Sequence, residues 1–310
     1  MKGNNIKKDL LTLKDYSKEE ILAILEMARE IKADPGSYSS MLKGRNIALL
    51  FDKPSTRTRV SFEVGINQLG GCCLALDSKN LQLGRGETYA DTAKIFEAYL
   101  DGVVIRTFKQ ETIVTMAENC SIPVINALTD SYHPCQILAD LQTLMEKNLL
   151  FRKNLKFAYF GDPNNVSNSL LIGFTKLGIN ITICCPESLK TDDCLMDYLK
   201  TESAASKNNI YIENEPLKAA CEADVIYTDV WISMGQEEEK NKIEMMMPYQ
   251  VNSDLLKHAK TDVKVMHCLP AHREMEITSE ILDSNHSIVW EQAENRLHAQ
   301  KGLLKFIYDK

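Results

Sequence analysis

The sequence predicts an α/β fold of two doubly wound parallel-sheet domains, and three observations carry that expectation. The chain has 310 residues, enough for about two domains of ordinary size. Short apolar runs alternate with segments of helical pattern, the order that parallel βαβ units impose. The alternation closes on a long helical stretch near residue 150 and then begins again, so the first half is taken as residues 1–149.

In that half, Ile21, Leu22, Ile24, Leu25 and Met27 share one face of a helix over 17–31. Ser17 and Glu20 form a capping box at its start. The run Ile47-Ala-Leu-Leu-Phe51 reads as a buried strand. Asp52-Lys-Pro-Ser55 breaks it, and Ser55 is placed to cap a helix running to Leu69, which Gly70-Gly71 ends. Strands follow over 72–76, 102–105 and 123–126, separated by helices over 88–100 and 111–118. A helix over 134–149 closes the half. The second half repeats the scheme, with a strand over 154–160, a helix over 168–177, and strands over 180–184, 225–227 and 263–266.

Composition narrows the function classes. With 44% hydrophobic and 25% charged residues the chain is no disordered polymer. Lys and Arg number 36 against 43 Asp and Glu, a net charge of −7. That argues against nucleic acid as a partner while leaving room for a local basic pocket. No window approaches the ~20 apolar residues of a membrane helix, so no membrane partner is expected. The N-terminal stretch lacks a signal-peptide core, and the first arginine is Arg29, so the chain is expected in the cytoplasm. Nine cysteines show no Cys-x-x-Cys and no zinc-like spacing with histidine. Eight are expected to be reduced and mostly buried, with no metal.

Six places in the chain carry chemistry. Ser55-Thr56-Arg57-Thr58-Arg59 opens a helix directly after a strand. Unpaired N–H groups, hydroxyls and a guanidinium fork suit an anion there, and the same pattern also suits a capped helix with surface arginines. His133-Pro-Cys-Gln136 stands at a helix entrance, where His133 and Gln136 can face one ligand or simply cap and pack. Arg106 follows a strand, at the end where α/β sheets bind ligands. Gly161-Asp-Pro-Asn-Asn165 and Asp229-Val-Trp-Ile-Ser-Met-Gly235 each follow a strand as well, and the absence of Gly-x-Gly-x-x-Gly gives a dinucleotide little support. His267-Cys-Leu-Pro270 ends a strand with Cys268, the one thiol placed where a ligand can reach it.

Together, in this order and spacing, the four segments Ser-Thr-Arg-Thr-Arg, His-Pro-x-Gln, Asp-x-x-x-Ser-Met-Gly and His-Cys-Leu-Pro resemble those of the ornithine carbamoyltransferases. The similarity extends over nearly the whole chain, including Gln82-Leu-Gly-Arg-Gly-Glu87 and residues 291–300. The resemblance implies an enzyme that joins carbamoyl phosphate and L-ornithine to give L-citrulline and phosphate, with no metal or organic cofactor. It implies that Ser55, Thr56, Arg57 and Thr58 hold the phosphate, and that Arg106, His133 and Gln136 face the carbamoyl group. Asn165, Asp229, Ser233 and Met234 would bind ornithine, and Cys268, Leu269 and Arg296 would join the carbamoyl-phosphate site and complete an active site in the interdomain cleft. Arg106, His133, Asp229 and Cys268 form the implied catalytic set.

The resemblance also implies a homotrimer, or an assembly of trimers, in which Gln82 reaches a neighbouring subunit's carbamoyl-phosphate site. A last helix over 293–310 would pack back on the first domain, leaving 150–292 as the ornithine domain. The His267-Cys-Leu-Pro-Ala-His-Arg273 form is similar to that of arginine-forming members, which implies arginine biosynthesis. Relatives acting on aspartate have His-Pro-Leu-Pro in place of His-Cys-Leu-Pro, and those acting on putrescine or acylated ornithine lack the Ser-Met-Gly segment. An inactive binding relative would have lost one of the four segments, and none is lost.

Overall fold

All nine strands of the computed structural model, which describes residues 7–232 and 240–309, lie in two parallel sheets. The first holds β1 (Asn46–Phe51), β2 (Cys72–Asp77), β3 (Gly102–Arg106) and β4 (Val124–Leu128), in the order β2-β1-β3-β4. The second holds β5 (Phe157–Phe160), β6 (Ile181–Cys184), β7 (Ile210–Glu213), β8 (Val225–Thr228) and β9 (Lys264–His267), in the order β7-β6-β5-β8-β9. The central strands β1, β3, β5 and β8 are near-continuous apolar runs because both their faces are covered. The edge strands β2 and β7 are partly exposed along their length.

Both orders contain a reversal. The chain steps from β1 outward to β2 and then crosses to β3 on the other side of β1. In the second sheet it steps from β5 to β6 and β7, then crosses to β8. Where successive crossovers diverge, the loops at the carboxyl ends of two adjacent strands part and leave a crevice. That crevice falls at the ends of β1 and β3 in one sheet, and of β5 and β8 in the other. Phe51 pairs with Arg106, and Phe160 with Thr228, so the residues leaving these strands emerge side by side.

The described chain divides into two compact units. One runs to Gln142 and includes Glu294–Lys310, and the other is Thr143–Ala293. In the first, Ala48, Leu50, Val103, Ile105 and Val124 pack with Phe96, Ile113 and Met116. In the second, Phe160, Ile226 and Val265 pack with Trp231, Tyr249 and Ile277. Each such side chain contributes on the order of 1.5–3 kcal/mol by leaving water. The helix Lys18–Ala33 begins with the expected Ser17/Glu20 capping box. It meets the helix Val289–Tyr308 almost backbone to backbone, since a Cβ on Gly302 would come within 2.5 Å of the Ile24 carbonyl oxygen. That close approach and the Tyr308 Oη bond to the Asp101 carbonyl (2.9 Å) fix the helix that carries Arg296.

Several expectations are corrected. Ser55 does not cap the second helix: that helix is Arg57–Gln68 and Thr56 occupies its N-cap, with no side-chain cap bond. The helix after β5 is Asn165–Leu177, starting three residues earlier than expected, because Asn164 and Ser167 make a capping box. Strand β7 and the helix Asp193–Ser206 were not anticipated. All nine cysteines are free thiols, yet Cys72, Cys194 and Cys221 are exposed, so the thiols other than Cys268 are not mostly buried.

Candidate active site

At the first switch point the helix Arg57–Gln68 starts six residues beyond the end of β1, and its N-terminal donors are not taken by Thr56. Ser55 and Arg57 are half-buried, Thr56 is exposed and Thr58 is buried. Arg106 ends β3, where the β3–β4 register shifts between Ile105 and Arg106. Such an irregularity re-aims the side chain that follows it. The Arg106 carbonyl accepts the Asp52 N–H (2.9 Å), tying the turn after β1 to this strand.

Arg296 draws two more of the predicted residues together. It donates to Thr58 Oγ1 at 2.7 Å and to Gln136 Oε1 at 2.5 Å, and Gln136 Nε2 donates to Asp140 Oδ1 at 2.8 Å. A carboxylate accepts only, so Asp140 fixes which end of the Gln136 amide faces Arg296. Burial, then the charges of Arg296 and Arg57, push Arg106 down to about 10. Burial, then Arg296 and Arg106, push His133 well below the ordinary histidine range. His133 is therefore a neutral imidazole at physiological pH, and Arg106 is still a cation. This crevice is suited to a compact anion with a polar group beside it. Gln82 lies apart from these contacts, exposed on the turn Gln82–Arg85.

At the second switch point Asp229 follows β8 and Asn164 follows β5. Asn164 Nδ2 donates to Asp229 Oδ2 at 2.8 Å across the crevice, while its Oδ1 accepts the Val166 and Ser167 N–H groups. Gly161 starts this loop at φ +153, where a Cβ would crowd Tyr159. Asp229 Oδ1 accepts the Val230 N–H (2.8 Å) and the Cys268 thiol (2.7 Å). About four lone-pair positions surround a carboxylate. Three of Asp229's are used, which leaves one on Oδ2 for a cationic ligand. Asn165 is the first residue of its helix and half-buried. Asp162 in the same loop pairs with Lys242 at 2.5 Å.

Ligating atoms of Asp229, His267 and Cys268 lie within 4.8 Å of one another. Both His267 nitrogens are engaged inside the protein, by the Leu269 N–H (2.8 Å) and by Glu276 (3.1 Å), so the cluster is better suited to holding a loop than a metal. Leu269 is half-buried beside Cys268. Ser233 and Met234 lie outside the described residues.

Sequence reasoning passed over Asn164, Asp140 and Glu276. Asn164 had a legible signal, the Asn-x-x-Ser capping pattern. Asp140 stands one helical turn after Gln136, a spacing that puts the two on one face. Glu276 had none, since nothing local distinguishes it from Glu274.

Both halves match known families over most of their length. Residues 8–146 match the carbamoyl-P binding domain of aspartate/ornithine carbamoyltransferase, and residues 153–307 match the Asp/Orn binding domain. The chain is 51% identical over 305 residues to the ornithine carbamoyltransferase of Bacillus subtilis, covering 98% of this chain and 94% of that one. The ornithine carbamoyltransferase structure from Pyrococcus furiosus superposes with a TM-score of 0.93 at 46% identity, covering 98% and 97%. The anabolic ornithine carbamoyltransferase from Campylobacter jejuni gives 0.92 at 39% identity, covering 97% and 99%.

Proposed function

The chain belongs to the aspartate/ornithine carbamoyltransferase family, and on that premise we propose that it transfers the carbamoyl group of carbamoyl phosphate to the δ-amine of L-ornithine, giving L-citrulline and phosphate. The observation that carries this reading is that each unit has a switch-point site of its own, one with Arg57, Arg106 and Arg296, the other centred on Asp229 and Cys268. Residues 1–149 with 293–310 are proposed to hold carbamoyl phosphate, and residues 150–292 ornithine.

The phosphate sits on the N-terminus of the helix Arg57–Gln68, held by its N–H groups, by the Ser55, Thr56 and Thr58 hydroxyls and by Arg57. The carbamoyl oxygen faces Arg106 and His133, with Gln136 and Arg296 bracing Thr58 behind them. Asp229 takes the α-ammonium of ornithine on its remaining acceptor position. Asn165, Ser233 and Met234 hold the rest of the amino-acid head, and Cys268 and Leu269 close the carbamoyl-phosphate site beside the ornithine side chain. An alkyl amine with a pKa near ~10.4 must lose its proton before it attacks. The neutral δ-nitrogen then bonds to the carbamoyl carbon, and negative charge grows on the carbonyl oxygen. Arg106, neutral His133 and Thr58 are fixed donors for that charge and need no reorganisation as it forms. The carbon–oxygen bond to phosphate breaks, and the departing phosphate takes the amine proton.

Free ornithine should be carbamoylated with release of citrulline, and putrescine, aspartate and N-acetylornithine should be poor substrates. Putrescine lacks the carboxylate, and acetylation removes the charge that Asp229 is placed to pair. Equal or better turnover of any of the three would overturn the choice of ornithine. The arginine-forming direction, a cytoplasmic location and a homotrimeric assembly belong to the same reading. The exposed Gln82 supports a site shared between subunits. Light scattering should then give a multiple of 35.0 kDa. Inactive Arg57→Ala and Gln82→Ala chains should regain activity when assembled together, and a fully active monomer would exclude the shared site.

A further inference from the structure

The Cys268–Leu269 turn is held from behind by a buried histidine and a buried carboxylate. His267 and Glu276 are each at most 1% exposed. The Leu269 N–H donates to His267 Nδ1 at 2.8 Å, so Nδ1 carries no proton. A neutral imidazole then carries its hydrogen on Nε2, which lies 3.1 Å from Glu276 Oε1. The same oxygen accepts the His272 N–H at 2.5 Å, while the His267 N–H donates to Gln292 Oε1 at 2.9 Å. One carboxylate oxygen thus gathers both ends of the segment His267–His272. The opposite tautomer would set two N–H donors face to face at Nδ1 and a lone pair against the carboxylate at Nε2. Leu269 has φ +57, a left-handed conformation that a branched side chain enters only when something holds it there. The bond to Nδ1 is one contact that holds it there.

We propose that Glu276, acting through His267, is a positioning residue for the ornithine site. Its carboxylate selects the Nε2–H tautomer, the tautomer fixes the Leu269 amide, and the fixed turn aims the Cys268 thiol at Asp229. The proposal rests on the reading that Cys268 and Asp229 meet ornithine. Neither Glu276 nor His267 touches substrate in it. A carboxylate that orients a histidine in this way is familiar from metal sites and catalytic triads, where it sets which ring nitrogen bears the proton.

The test compares Glu276→Leu, which removes the acceptor, with Glu276→Gln, whose amide oxygen can keep it. Glu276→Leu should lower kcat/KM for ornithine about 10- to 100-fold, the range seen when a histidine's orienting carboxylate is lost. Cys268 should be alkylated faster by iodoacetamide, as followed by mass mapping of its peptide, because its bond to Asp229 is loosened. Glu276→Gln should recover most of the lost activity and restore slow alkylation. A folded Glu276→Leu protein with parental kinetics, or with parental Cys268 alkylation, would overturn the proposal. Ring 15N shifts of His267 in the unaltered protein decide it even if a variant fails to fold. The Nε2–H form is expected at neutral pH, and an Nδ1–H form or an imidazolium would refute it. If the unaltered protein forms no citrulline, the ornithine reading falls, while the alkylation rates and ring shifts still test whether Glu276 holds the turn.

Discussion

At the first switch point cations bear on Arg106 and His133: Arg296 and Arg57 on the first, Arg296 and Arg106 on the second. At the second, Asp229 meets a thiol, an amide and a backbone N–H. The topology is the same in both places: a central strand, a reversal of strand order, and a crevice at the carboxyl ends. The difference lies in how charge is balanced. The first crevice concentrates positive charge, and mutual repulsion adds to burial in lowering Arg106 and His133. A phosphate bound there would relieve that repulsion. The second surrounds Asp229 with neutral donors and leaves one acceptor position suited to an ammonium group. One fold rule supplies two places to bind, and the side chains on the loops decide which charge each takes.

The sharpest way to break this contrast is to remove the central charge from each crevice in turn. Arg106→Met should depress kcat/KM for carbamoyl phosphate, and Asp229→Ala should depress it for ornithine. Each loses a desolvated charge partner worth ~2–5 kcal/mol, or roughly 30- to several-thousand-fold. Titration calorimetry should still find carbamoyl phosphate bound to Asp229→Ala with near-parental affinity. Loss of that binding would mean that the two crevices are not chemically separate.

A milder perturbation uses inorganic phosphate alone. At a concentration near 100 times its dissociation constant, a ligand bound only by the folded state stabilises it by about 2.7 kcal/mol. Scanning calorimetry should show that Tm rises with phosphate in the parent and hardly moves in Arg57→Ala. An equal rise in both would take Arg57 out of the anion site.

How much of this was legible beforehand depended on whether a signal was local. The runs Ile47–Phe51 and Phe157–Phe160 announce buried parallel strands because both faces are covered, and β1 and β5 are found there. Ile210–Glu213 escaped notice because an edge strand shows a mixed surface that also suits a loop. The Ser-Thr-Arg-Thr-Arg segment is legible as a helix start, with its cap one residue away from the position expected. Only the backbone shows that Thr56 takes the cap position with helical torsions. Asp229 and Cys268 could each be suspected from a strand end. Their 2.7 Å contact comes from β8 and β9 lying side by side, with Thr228 opposite His267, over a separation of 39 residues. Pairing over such distances is a property of sheet order, and local sequence pattern does not encode it.

The smallest predicted effect contrasts two buried histidines, one in each unit. His267 has a carboxylate to bond, whereas His133 has Arg106 and Arg296 acting on it and is kept neutral by burial and their charge. In the unfolded chain His133 returns to the ordinary range near ~6.5. Below that pH the unfolded chain takes up a proton at this position that the folded chain refuses. Stability is therefore fully present above ~6.5 and is lost as pH falls below it, with a slope of at most about 1.4 kcal/mol per pH unit from this one group. Carboxylates titrate at lower pH and blur the absolute curve, so the measurement is a difference. Denaturant unfolding of the parent and of His133→Asn should be followed from pH 7.5 to 5.0, because asparagine fills a similar space and takes up no proton. His133→Asn should show a shallower loss toward acid, the two curves converging below pH 6.5. Parallel curves, or a parent that gains stability relative to the variant on acidification, would mean that His133 is charged in the folded protein. The carbamoyl oxygen would then face an imidazolium rather than the neutral donor argued above.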